Sequence, residues 1–383
     1  MSHDPETVQR RCLVVGAAGV LACGVGGLFD PPAFFRAWAV AYLFCLQIAL
    51  GCMAILMLHY LSGGSWGIVI RRIAESAIGT LPVLALLFVP LAVGVPTLFV
   101  WARPEAMAAD PILQQKHAYL NVPFFLVRAV CYFVAWIAVA RLLDGWSRAR
   151  DVAPDPNPRR FRLISGPGLV VYGLTVTFAA IDWGMSLEPH WYSTVYPLAF
   201  GVGQVLSGFA FAIAVAILLA GRDPFGRLVT GQNLIDLGNL LLTFVLLWAY
   251  LAFAQFMLIW AANLREEVTY YLPREHGGWR VLAGTLIAFH FALPFALLLV
   301  RRVKRSPPML AGVALVILGM RLVDLFWLVL PGLPGAHGFH WLYVVAPVGV
   351  GALWLGAFVS RLRGHPLVPG NDPAVEEAMA HAL

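Results

Sequence analysis

The feature that most constrains this sequence is a set of ten apolar runs, each long enough to cross a lipid bilayer as a helix. Crossing about 30 Å of hydrocarbon takes roughly 20 helical residues. Hydrophobic residues make up 60% of the 383 residues and charged residues 12%, about half the charged share of soluble domains. The sequence therefore predicts an all-α polytopic membrane protein and excludes a soluble globular one. The predicted spans are 13–29, 34–61, 81–100, 123–143, 168–185, 197–219, 234–263, 281–300, 309–330 and 342–359.

The net charge is +6, but the positions of the basic residues indicate how the chain is oriented in the membrane and do not indicate nucleic-acid binding. Of the 26 Lys and Arg residues, 18 fall in alternate loops on one side, six on the other, and Arg128 and Arg321 lie within spans. The positive-inside rule then predicts a cytoplasmic N-terminal segment (1–12), a membrane domain (13–359) and a cytoplasmic tail (360–383). The proline-rich segment 147–167 is predicted to be a solvated connector on the same side.

Cysteine and histidine spacing gives no sign of a metal centre carried by this chain. The five cysteines form no CxxC or CxxCH motif, which is the spacing typical of zinc knuckles, iron-sulfur clusters and covalent haem. His59 and His290 are the only histidines at membrane depth, and their depths differ by about half a membrane, which disfavours a shared haem. We expect His290 to be a hydrogen-bonded core residue or part of a proton relay. His59 shares a helix face with Cys45 and Cys52 and is expected to pack there or to belong to the proton path.

Polar residues recur on one face of two predicted helices. Those of the seventh helix lead inward from its cytoplasmic end, and those of the fifth helix lie toward its periplasmic end. Together they predict two half-paths for protons, while hydrogen bonding between helices remains the alternative explanation. The residues are Asp236, Asn239, Thr243 and Tyr250 on the seventh helix, and Tyr172, Thr175, Asp182 and Ser186 on the fifth.

Two arginines within spans need a partner, because a charge at membrane depth is costly. Arg321 and Asp324 lie three residues apart in the ninth helix, where they can pair on one face. Such a pair either fixes the packing or serves the function directly. Arg128 either snorkels to the periplasmic surface or pairs with Asp182.

The periplasmic loops hold acidic, aromatic and histidine residues. Segment 182–194 is predicted to belong to a docking and redox-facing surface, because its carboxylates and imidazole would accept protons there. A plain aromatic belt is the alternative explanation. The candidates for quinone binding or docking are Arg128, Asp182, Glu188, His190, Glu266 and Glu267.

Five sequence strings resemble those of one protein family. They are FCLQIALG at 44–51, LHYLSGG at 58–64, KHAYLN at 116–121, IDWGMSLEPHWYST at 181–194 and AQFMLIWAANLREE at 254–267. They resemble the ActF subunits of alternative complex III, a bacterial quinol:cytochrome c oxidoreductase, and the resemblance covers the second to ninth helices. The string DWxMSLEPHW is the most specific of them.

The resemblance implies an NrfD-like fold with two four-helix bundles (34–187 and 197–330) and a flanking helix on either side. It implies a subunit in the bacterial cytoplasmic membrane that contributes a proton path and, as a further option, a quinone pocket. Iron-sulfur clusters and haem c would belong to partners, namely an iron-sulfur subunit and multihaem cytochrome c subunits, beside an ActC-like membrane subunit. The chain itself would bind no cofactor other than quinone or quinol.

Two other functions fit the same residues. One is a secondary transporter whose substrate site lies at Arg321 and Asp324 near the midplane. The other is a structural membrane anchor in which all buried charges are neutralised in pairs.

Overall fold

The computed structural model describes residues 4–157, 159–333, 335, 338–372 and 375. Residues 1–3 of the predicted N-terminal segment and 373, 374 and 376–383 of the predicted tail lie outside this part. Within it, 83% helix and no strand confirm the all-α polytopic prediction. This described part contains ten helices that are long and apolar enough to cross a membrane: α1 (Pro5–Phe29), α2 (Pro31–Ser62), α3 (Ser65–Val93), α4 (Val122–Val152), α5 (Arg159–Leu187), α6 (Val195–Leu219), α7 (Gly231–Ala262), α8 (Gly278–Leu299), α9 (Pro307–Val329) and α10 (Leu342–Arg363).

Several helix ends follow from local side chains. Asp30 caps α2 by accepting a hydrogen bond from the Ala33 amide at 3.0 Å, and Asn121 caps α4 in the same way. Thr230 caps α7, which ends at Asn263 in the left-handed conformation with φ 46°. Such side chains satisfy backbone groups that a helix terminus leaves without intrahelical partners.

The third span begins at Ser65 rather than at position 81, which corrects the sequence-based boundary. Arg71 and Arg72, predicted for a loop, are buried in this helix. Arg72 donates a hydrogen bond to Glu75 at 2.7 Å and also pairs with Asp151. Paired charges tolerate burial far better than isolated ones. Hydropathy takes no account of such pairing, so it predicted a start for this helix that lies too far along the chain.

Segment 147–167 is mostly helical and not a solvated connector. Helix α4 continues to Val152 and α5 starts at Arg159. The chain after α10 returns to this end, where Asp372 accepts hydrogen bonds from Arg71 at 2.6 Å and Arg150 at 2.7 Å. These ion pairs hold the helix extensions in place, and no local pattern in the sequence predicts the contribution of Asp372.

The eight spans between the first and the last are divided here into two groups, α2 to α5 and α6 to α9. The groups make their most extensive contact where α2 crosses α6. The first and last spans pack against each other and against α2 rather than one on either side. Arg363 of α10 donates to Gln9 of α1 at 2.7 Å. The start of α1 and the end of α10 therefore lie on one side, here called the arginine-rich side.

Glycines allow the close approach of α2 and α6. A Cβ atom on Gly51 would lie 1.9 Å from the carbonyl oxygen of Gln204, and one on Gly208 would lie 2.5 Å from the carbonyl carbon of Gly51. Small residues at such crossings let two backbones touch inside a membrane. The crossing is the centre of the fold, since α2 is almost wholly buried.

We expect Gly51→Ala to lower the stability of the protein, because the added methyl group must push α2 and α6 apart. Overpacking of this kind costs about 1–3 kcal/mol. The measurement is thermal unfolding of the purified protein in detergent. Gly173→Ala is the matched control, since a Cβ atom there meets nothing within 4 Å. Equal melting temperatures for the two variants would contradict the close crossing.

Candidate functional site

A buried ion pair lies between the two helical groups. Arg321 and Asp324 sit one turn apart on α9, 1% and 3% exposed, and their side chains form an ion pair. The other end of the Arg321 guanidinium donates a hydrogen bond to Gln47 Oε1 on α2 at 3.0 Å. Gly203 of α6 makes room, because a Cβ atom there would lie 2.2 Å from Arg321 Nη2. The predicted pair therefore exists, and it also joins one helical group to the other.

His290 lies beside this pair on an irregular part of α8. It is fully buried, and its ring centre is 4.0 Å from that of Trp248 on α7. The Trp248 side chain also lies near Asp324. Residues Leu286–Ala292 form a π-helix, a local widening that occurs frequently at functional sites. The structure thus places His290 near Arg321 and Asp324. The sequence did not predict that these residues would lie close together.

Several polar atoms of this cluster have no protein partner within the described residues. They are Gln47 Nε2, Arg321 Nε and both ring nitrogens of His290. Leaving a buried polar group unsatisfied costs about 1–3 kcal/mol, so natural proteins rarely gather such groups at one place without reason. The arrangement is suited to exchanging protons with water or to holding a small polar ligand.

Arg128 and Asp182 form a second buried pair, which decides between the two predicted fates of Arg128. Arg128 Nε and Nη2 donate hydrogen bonds to the two carboxylate oxygens of Asp182 at 2.9 and 2.8 Å. Tyr132 donates another to Asp182 Oδ2 at 2.8 Å. The guanidinium also stacks 3.8 Å from the ring centre of Tyr119. Asp182, fully buried, is thus held by three donors.

The remaining polar residues of α5 form hydrogen bonds inside the protein. Trp136 donates a hydrogen bond to Thr175 Oγ1 at 2.8 Å, and Tyr172 donates one to Gln204 Oε1 at 3.0 Å. Gln204 follows Gly203, against which the Arg321 guanidinium lies. Ser186 is buried and bonds to the carbonyl oxygen of Asp182 at 2.6 Å. The predicted polar face of α5 therefore points into the protein, toward the Arg321 cluster.

The polar stripe of α7 faces the other way. Tyr250 is 65% exposed, Asn239 and Thr243 are exposed, and Asp236 is half-buried. Asn239 accepts a hydrogen bond from Lys304 at 2.6 Å, and Asp236 accepts one from its neighbour Gln232. This stripe does not form an internal path with α5 within this chain. A helical wheel shows which residues share a face of a helix, but it does not show whether that face points into the protein or outward.

His59 lies in a different environment from His290. Its ring packs against Gly67 and Trp66 of α3, on the arginine-rich side, and its Nδ1 has no protein partner among the described residues. The described residues contain no group of three or more His, Cys, Asp or Glu that could hold a metal ion.

On the opposite side, Glu188 is tied into the protein rather than free on its surface. It accepts a hydrogen bond from Arg274 at 2.6 Å. Arg274 is itself buried, stacks 3.6 Å from the ring centre of Tyr270, and donates to the carbonyl oxygen of Leu328. One guanidinium thus joins the loop after α5, the loop after α7 and the end of α9.

His190 and Lys116 fasten a second loop to the same segment. His190 Nε2 lies 2.5 Å from Asp110 Oδ2, and Lys116 donates to the carbonyl oxygen of Pro189 at 2.6 Å. Burial raises the pKa of Asp110, but hydrogen bonds from His190 and the Ile112 amide lower it by more. Burial lowers the pKa of Lys116.

The two other predicted docking residues are less constrained. Glu266 is exposed and Glu267 is half-buried, and neither forms an ion pair with a described residue. They lie in the short helix Arg265–Val268 just after α7. Two negative charges are thus left on the surface of the opposite side.

Comparison with models of known protein families gives no match, and comparison with curated proteins gives none either. The fold and the contacts above define the class of the molecule, which is a polytopic helical membrane protein with paired charges in its interior.

We expect single substitutions of the central pair to be more harmful than the double one. Arg321→Met alone leaves Asp324 buried without its partner, which costs about 3–5 kcal/mol. Arg321→Met with Asp324→Leu removes both charges and should restore most of the lost stability. Thermal unfolding in detergent measures this. A double variant as unstable as the worse single one would show that the charges hold the fold through contacts other than their own pair.

Proposed function

We propose that this membrane protein conducts protons through its interior as a subunit of a respiratory quinol-oxidising complex. The observation that carries the proposal is the buried cluster of Gln47, His290, Arg321 and Asp324, which has polar atoms without protein partners deep in an apolar fold. A proton path needs groups that bind and release protons, and hydrogen-bonding groups between them. This cluster supplies an imidazole and a carboxylate that both lie near Trp248.

The polar chain along α5 supports the same proposal. Its members are Asp182, which three donors hold, Thr175, and Tyr172, which donates a hydrogen bond to Gln204, the residue that follows Gly203. If these charged residues only stabilised the packing, apolar residues could take their place. Replacing a buried ion pair by well-packed apolar side chains often leaves the stability of a protein unchanged. A series of such groups leading through the centre of a membrane protein is better explained by transport of protons.

The resemblance to ActF subunits supplies the wider context. Gln47 lies in the string at 44–51, and Asp182, Glu188 and His190 lie in the string at 181–194. The residues that carry the resemblance are therefore among those that build the buried cluster and the interlocked loops. In this proposal, quinol is oxidised near the opposite side, and the iron-sulfur and haem c subunits dock there, beside the exposed Glu266.

A structural anchor is the second candidate, and a specific observation favours it. Arg128 and Asp182 neutralise each other, as do Arg321 and Asp324, so these charges need no further role. His290 distinguishes the two functions, because no partner for its ring nitrogens is present among the described residues. An anchor has no use for that imidazole, whereas a proton path does.

His290→Phe separates the two functions. In a proton path, removing the imidazole should slow proton transfer by roughly 10²-fold or more. The fold should keep its stability, because two unsatisfied polar atoms are replaced by an apolar ring. The measurement uses the protein purified from its native membrane with its associated subunits and reconstituted in vesicles. Quinol-driven acidification is followed with a pH-sensitive dye, and quinol oxidation and haem reduction are followed by absorbance.

Thr243→Val is the matched control, since Thr243 is an exposed polar residue of a membrane helix. It should leave acidification unchanged. Wild-type acidification by an assembled His290→Phe complex would contradict the proton path and favour the anchor. A preparation that contains neither haem nor quinol-oxidising activity would contradict membership of a respiratory complex.

A further inference from the structure

A short basic helix joins α8 to α9 on the arginine-rich side. It comprises Arg301–Arg305, and the extended residues Val300 and Ser306 separate it from the two spans (ψ 113° and 112°). Because both breaks lie at the ends of membrane-spanning helices, this helix lies at the level of the lipid headgroups.

Three arginines of this helix face outward. Arg301, Arg302 and Arg305 are exposed and line a cleft of about 520 Å³ together with Ser306. Lys304 of the same helix instead turns inward and donates its hydrogen bond to Asn239. None of the three arginines pairs with a carboxylate in the described part of the chain. Three positive charges are therefore available to a ligand outside the protein.

An apolar groove also adjoins the basic helix. It has a volume of about 270 Å³ and runs between α8 and α9, lined by Leu297, Val303, Gly312 and Val316 among others. Val303 belongs to the basic helix, so the groove adjoins the helix that carries the three arginines. Gly312 keeps the groove open, since a Cβ atom at this position would meet nothing within 4 Å.

We propose that the cleft and the groove together bind one anionic phospholipid from the leaflet on the arginine-rich side. The arginines would hold the phosphate, which the planar guanidinium recognises with two hydrogen bonds. One acyl chain would fill the groove and pack against its apolar side chains. A phospholipid has both an anionic headgroup for the arginines and an acyl chain for the groove. Free phosphate would use only the arginines, and a neutral lipid would use only the groove. This site is separate from the proposed proton path.

The test is lipid binding measured by native mass spectrometry of the purified protein in a neutral detergent. Phosphatidylglycerol and phosphatidylcholine with the same acyl chains are titrated separately, and glycerol phosphate is added as a competitor. We expect phosphatidylglycerol to bind with a defined stoichiometry of one tight site. Phosphatidylcholine should bind at least tenfold more weakly, and glycerol phosphate should not displace the lipid.

Two variants and two matched controls locate the site. Replacing Arg301, Arg302 and Arg305 by Gln should weaken phosphatidylglycerol binding on the order of a hundredfold, and Gly312→Leu should weaken it about tenfold by filling the groove. The control for the first variant replaces Arg10, Arg11 and Arg162 together by Gln, which removes three exposed arginines elsewhere on the same side. The control for the second variant is Gly319→Leu, which adds the same side chain to open space on α9. Both controls should bind as the wild type does.

Several results would overturn the proposal. Equal weakening by the two triple variants would show that only the general positive charge attracts lipid. Unchanged binding by Gly312→Leu would show that no acyl chain enters the groove, and displacement by glycerol phosphate would show a site for phosphate alone. A polypeptide that co-purifies and crosslinks to the groove would show that a protein covers it. Equal melting temperatures for each variant and its control exclude misfolding as the cause of weaker binding.

Discussion

The guanidinium of Arg321 is the group on which the centre of the structure depends. It pairs with Asp324 on its own helix and donates to Gln47 on α2, so it links the two groups of helices. This contact is available because Gly203 leaves room beside it and because Gly51 and Gly208 let α2 and α6 touch. The close backbone packing at this crossing therefore brings Gln47 within reach of the buried guanidinium.

The same physical logic recurs wherever a charge is buried. Arg128 is matched by Asp182, Arg274 by Glu188, and Arg72 by Glu75. The first two pairs join elements that are distant in sequence, and Arg72, which pairs with Glu75 on its own helix, also pairs with Asp151 of α4. A buried charge is stable only where its partner is buried beside it. The basic helix Arg301–Arg305 is the contrasting case, since its arginines face the membrane surface where water and headgroups solvate them.

The sequence was sufficient for what depends on hydropathy and on short spacing. It predicted the ten spans, and the three-residue spacing of Arg321 and Asp324 predicted their pair. It also offered the pairing of Arg128 with Asp182 as one of two outcomes. The polar face of α5 was predicted correctly as a shared face, and the structure shows that it points inward.

The rest could not be predicted, because it depends on contacts between distant parts of the chain. Nothing local in α7 says that Thr243 faces outward, and nothing near Arg71 says that Asp372 returns to pair with it. Glu188 and His190 resemble free surface groups until Arg274 and Asp110 are brought beside them. The neighbourhood of His290 and Arg321 likewise requires the packing of α8 against α9.

The central claim is that the interior beside Arg321 is a hydrated site for proton transfer rather than a dry packing contact. The most direct measurement is a density map of the protein, in its native assembly, that resolves ordered water molecules. The account predicts at least one water within hydrogen-bonding distance of a His290 ring nitrogen, connected to Gln47 or Arg321. A map in which side chains fill this region completely and no water contacts His290 would contradict it.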